Sequence, residues 1–119
     1  MDINYLKSCG VNIDNSLKLL GDIETYNEIL NDFYSEIKEK LTDLENYKNN
    51  SDMENYSILV HSLKSDCKYL GFDKLSDICY THQIKSEENN IKYINDEFNS
   101  LFIEANKIIN IVEKYLEFI

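Results

Sequence analysis

Residues 60–72 read VHSLKSDCKYLGF. Each residue of an α-helix turns the chain by roughly 100°. Leu59, Leu63 and Leu70 then fall nearly opposite His61, with Tyr56, Val60 and Cys67 beside them. Around His61 stand Ser57 and Ser65, roughly 40° to either side, Lys64 at about 60° and Lys68 at about 20°. One arc is apolar and turns inward. The other carries a histidine, two lysines and two serines. Gly71 follows directly, where a left-handed residue ends a helix without a Cβ penalty. The stretch therefore predicts a helix over 53–70 with an exposed imidazole on its outer face.

The same period extends in both directions. Apolar residues recur three or four apart at Tyr26, Ile29, Leu30, Phe33, Ile37, Leu41 and Leu44, which predicts a helix over 25–47. The polar segment 48–52 is expected as a loop, with Ser51 or Asp52 capping the next helix. Leu75, Ile78, Cys79 and His82 share one side of a helix over 74–86, and 87–90 reads as a turn. A last helix over 91–116 places Ile94, Phe98, Leu101, Phe102, Ala105, Ile108, Ile109, Val112 and Leu116 inward. Upstream, Asp14 or Asn15 is the expected cap of a short helix carrying Leu17, Leu19 and Leu20 and ending at Gly21. No stretch alternates at period two. The expected fold is all-α, an antiparallel up-down four-helix bundle with a short N-terminal capping helix. Residues 1–119 read as one domain, with a lead-in and short helix over 1–22 and the bundle over 23–119.

Composition narrows the function. The chain lacks proline and has three glycines, as a helical chain should. Lys plus Arg number 12 against 22 Asp plus Glu, a net charge of −10. Such a surface repels nucleic-acid phosphates and anionic membranes, so neither is an expected partner. The N-terminus carries no signal-peptide pattern and no apolar run is long enough to span a bilayer, which points to the cytoplasm. Cys9, Cys67 and Cys79 are odd in number and widely spaced, which suits a reducing compartment rather than a disulfide framework. No nucleotide-binding or hydrolase motif is present. Cys79-x-x-His82 is a weak metal motif without a second pair. No metal site is expected, and His82 is expected to be partly buried at the bundle edge.

His61-Ser62-Leu63-Lys64 followed by Leu70-Gly71 resembles the signature of histidine-containing phosphotransfer (HPt) domains, typically H-x-L-K-G and then a hydrophobic-Gly pair. The resemblance extends to Gly10-Val11-Asn12-Ile13-Asp14, Leu17, Gly21-Asp22, Tyr26, Phe33, Leu75 and Cys79, covering about residues 9–88. It implies a four-helix bundle that takes a phosphoryl group from the aspartate of one receiver domain and passes it to another in a two-component phosphorelay. Carried over by position, His61 is the phospho-accepting residue, Lys64 the phosphate-stabilising cation and Gly71 structural. Where the family usually has glycine and a small residue, this chain has Ser65 and Lys68. With Ser57, these are expected beside the phosphoryl group. The resemblance implies no cofactor of the domain's own, because the divalent metal belongs to the partner receiver. Expected partners are response-regulator receiver domains and a hybrid sensor kinase, and the domain itself is expected to be a monomer. It carries no kinase motif, so it reads as a phosphocarrier, and whether it counts as an enzyme stays open. The alternative is a docking module that binds receivers and is never phosphorylated.

Overall fold

The computed structural model describes residues 3–119. Among these residues there are six helices: α1 (Ile3–Ser8), α2 (Ile13–Leu20), α3 (Ile23–Asn49), α4 (Met53–Leu70), α5 (Asp73–Glu87) and α6 (Ile91–Leu116). Four of them begin on a short polar side chain that takes up an otherwise unpaired backbone N–H. Asn12 accepts from the Asn15 amide, Asp22 from Thr25, Asp52 from Asn55 and Asn90 from Tyr93.

The four long helices form a ring of neighbours. α3 packs on α4 and α6, and α5 packs on the same two. Adjacent helices run in opposite directions. Between α4 and α5, Tyr56 meets His82 while the Lys64 carbonyl meets Ser76. Between α5 and α6, Lys74 meets Glu104 and His82 meets Tyr93. Between α3 and α6, Asn27 accepts from Tyr115 and Glu113 from Tyr34. The apolar stripes converge on one core that includes Leu30, Ile37, Tyr56, Leu63, Ile94 and Val112, all nearly or fully buried. Each such side chain contributes about 1.5–3 kcal/mol relative to exposure.

The N-terminal region holds two short helices rather than one. α1 lies in the segment read from the sequence as a lead-in to a single short helix, and Asn12 caps α2 in place of Asp14 or Asn15. Asn12 precedes Ile13, which is buried and must lie inside the helix. α3 starts two residues earlier and ends two later than the apolar stripe implied, because Asp22 caps it and its polar last turn remains helical. Phe102 is not inward: it is 40% exposed and stacks on Phe98, with ring centroids 6.0 Å apart. It adjoins Leu101, which fills the core position at that level.

Gly71 ties the lead-in to the bundle. Its φ is 85°, and an added Cβ would lie 2.7 Å from the Asn12 carbonyl oxygen. The Asn12 amide donates to the Gly71 carbonyl at 2.9 Å, and the Asn12 side chain donates to Asp73 at 3.0 Å. This corner fixes the end of α4, and with it the helix that carries His61.

Candidate functional site

α4 buries Tyr56, Val60, Leu63, Cys67 and Leu70, which turns His61 outward. Its ring is exposed and is held from the neighbouring helix: Nδ1 lies 3.1 Å from Gln83 Oε1. With the amide oxygen as acceptor, Nδ1 carries the ring hydrogen and Nε2 keeps its lone pair. An exposed neutral imidazole in this state is a nucleophile. Gln83 was not legible as a site residue. Its place depends on the register of α5 against α4, which periodicity within one helix does not set.

Ser57, Ile58, Gln83 and Glu87 line the shallow groove around His61. The Ser57 hydroxyl donates to the Glu54 carbonyl at 2.8 Å. A separate groove of about 440 Å³ lies toward the C-terminal half of α4, lined by Lys64, Lys68, Asp73, Ser76, Asp77 and Tyr80. Lys64 turns into this groove, its ammonium 5.1 Å from the centre of the Tyr80 ring. Lys68 is exposed on the same groove, and half-buried Ser65 lines neither. The residues named from the sequence therefore divide: Ser57 shares the groove of His61, whereas Lys64 and Lys68 stand in the next. Asp66 is drawn to the opposite side of α4, where it pairs with Lys40 of α3 at 3.4 Å.

The two helices that form the grooves also expose apolar side chains. Ile58 is 62% exposed, Tyr80 52% and Ile84 36%. All three lie on α4 or α5, the helices that carry His61 and Gln83.

His82 is not at the edge of the bundle. It is buried, with Nδ1 2.9 Å from the Tyr56 hydroxyl and its ring edge-on to Tyr93 at 5.6 Å. Burial holds its pKa down at about 4, against the opposing influence of Glu97. Both helix-borne cysteines are buried as well. Desolvation pushes the Cys67 thiol well above its ordinary value and the Cys79 thiol up to about 12. Cys79 and His82 thus lie in the core, and among the described residues no His, Cys, Asp or Glu side chains cluster as a metal site.

Residues 28–101 match the family model of the Hpt domain. The chain belongs to the Hpt domain family. The match takes in most of α3, all of α4 and α5 and the first part of α6, so it contains His61, Lys64, Gly71 and Gln83. It reaches into α6, where the motif resemblance stopped short at about residue 88, and leaves the segment before α3 outside. No curated protein and no solved structure matches the chain. As an Hpt domain it has a phosphotransfer role in two-component signalling, a setting in which such domains meet receiver domains and sensor kinases. Among the described residues, no helix is long and apolar enough to cross a membrane.

Proposed function

We propose that this Hpt domain is a phosphohistidine carrier between receiver-domain aspartates, with His61 as the residue that takes the phosphoryl group. The observation that carries this reading is the His61 ring, exposed beside Ile58 and hydrogen-bonded through Nδ1 to Gln83. In the transfer, the Nε2 lone pair attacks the phosphorus of the aspartyl phosphate. An N–P bond forms as the acyl P–O bond breaks, and the electron pair leaves on the aspartate carboxylate. The Nδ1 hydrogen stays in place, bonded to Gln83 Oε1, which favours the charge that develops on the ring. Lys64 then meets the phosphoryl oxygens from one helical turn away, a separation its side chain spans. Lys68 adds positive charge at the rim, and Ser57 and Ser65 are the nearby hydroxyls. Ile58, Ile84 and Tyr80 supply apolar contact for the receiver. Any metal in the reaction belongs to the receiver.

The test is phosphoryl transfer from a panel of phosphorylated receiver domains to wild type and to His61→Gln. An acid-labile, base-stable label on wild type alone is the expected result. Label on both would place the acceptor elsewhere. Receiver binding without label on either would make the domain a docking module.

A further inference from the structure

Lys64 is the cation assigned to the phosphoryl group, yet its ammonium lies over Tyr80, in a groove that does not include His61. Among the described residues no carboxylate holds it there. The ion pairs among the described residues involve Lys7, Lys40, Lys74, Lys85 and Lys92, and Lys64 is in none of them. The ring face is therefore its partner in the unphosphorylated domain. Tyr80 is half-exposed, and a cation over such a ring is held weakly. A phosphoryl group on His61 would bring close to two negative charges within reach of the same side chain. At that range the Coulomb attraction exceeds the ring's hold even at a surface.

We propose that Tyr80 is a positioning residue that parks Lys64 while His61 is unmodified, and that phosphorylation transfers Lys64 from the ring to the phosphoryl group. This rests on the reading of His61 as the acceptor. The device has a thermodynamic consequence. A contact present only in the unphosphorylated domain stabilises that form, so it biases the transfer equilibrium away from His61 and toward the receiver aspartate. A contact that Tyr80 makes with a docked receiver has no such effect, because the equilibrium constant is defined by the separated proteins. Docking contacts change rates and affinity alone.

The experiment measures the equilibrium ratio of phosphorylated to unphosphorylated Hpt domain against a phosphorylated receiver domain that labels the wild type. Tyr80→Leu is expected to shift the ratio toward the Hpt domain by about two- to five-fold, the range set by a surface cation–π contact. Tyr80→Phe keeps a ring face and is expected to leave it at the wild-type value. In a Lys64→Met background, Tyr80→Leu is expected to have no effect, since the cycle isolates the pair. A shift of the same size with and without Lys64 would overturn the proposal, as would no shift with Tyr80→Leu. These outcomes are distinct from a failure of His61 to accept phosphate, which would leave no ratio to measure.

Discussion

At the scale of single residues, reactivity turns on which nitrogen of His61 faces solvent. With Gln83 Oε1 as the acceptor, the 3.1 Å contact occupies Nδ1 and leaves Nε2 to solvent. A solvated imidazole interconverts between two tautomers and turns about its side-chain bonds. One neighbouring amide oxygen selects the tautomer with Nε2 unprotonated and fixes the ring plane. Gln83→Leu removes the acceptor while retaining similar bulk. It is expected to slow phosphoryl acceptance by His61 about two- to twelve-fold, equivalent to one hydrogen bond of about 0.5–1.5 kcal/mol. Single-turnover transfer from a phosphorylated receiver, compared with receiver affinity, reads this directly. An unchanged rate at unchanged affinity would mean that the amide does not orient the ring. Tyr80 and Gln83 together show why part of the site was hidden from the sequence. His61, Lys64, Ser57 and Lys68 share one helix, so the 100° period was enough to put them on one face, though not to show that Lys64 and Lys68 stand in the neighbouring groove. Gln83 and Tyr80 come from α5, and which α5 residues face α4 is decided by the turn at Gly71 and by core packing.

At the scale of elements, the α4–α5 corner governs the site. α4 was legible because its buried face repeats at Tyr56, Val60, Leu63, Cys67 and Leu70, and because a glycine closes it. The four long helices were legible for the same reason, with ends misplaced by one or two residues, as at α3, where the Asp22 cap sets an earlier start and a polar last turn continues past the final apolar residue. α1 was not legible: it spans Ile3–Ser8 and buries only Leu6, too little to make a period. What sequence pattern could not convey about Gly71 is that the backbone of Asn12 lies against it. The residue is constrained twice, by a φ of 85° and by an oxygen 2.7 Å from where a Cβ would stand. Gly71→Ala is therefore expected to cost more than the about 1–2 kcal/mol of a left-handed alanine alone. The added methyl must also push the lead-in off the corner, breaking the Asn12–Gly71 hydrogen bond. Chemical denaturation would show a lowered midpoint. Gly21→Ala is the control: its φ is 95°, but no atom lies within 4 Å of the added Cβ, so it should be the milder change. Equal losses in the two variants would mean that the close approach contributes nothing.

At the scale of the whole molecule, the site depends on a core that is apolar except at a few points, and the most consequential of these is His82. It joins three helices, accepting or donating at the Tyr56 hydroxyl of α4 and meeting the Tyr93 ring of α6 from its own place on α5. The pairing satisfies both polar groups only while the imidazole is neutral enough to stay buried. Burial lowers its pKa from 6.5 to about 4, with the charge of Glu97 pulling the other way. The unfolded chain binds a proton at this residue below its ordinary pKa, whereas the folded chain does so only near pH 4. Between those values the unfolded state holds more protons, so stability falls as pH falls. The full separation corresponds to about 3 kcal/mol, lost progressively from near pH 6.5 to near pH 4 and absent as a penalty above that window. His82→Gln keeps a hydrogen-bonding group near Tyr56 and does not titrate. Urea unfolding from pH 7 to pH 4 should therefore show wild type losing more stability than this variant across that window, whatever the carboxylates add to both. Parallel pH profiles would mean that His82 protonates as readily in the fold as outside it. The candidate site faces solvent and His82 faces the core, so protonation of His82 would loosen the bundle beneath His61.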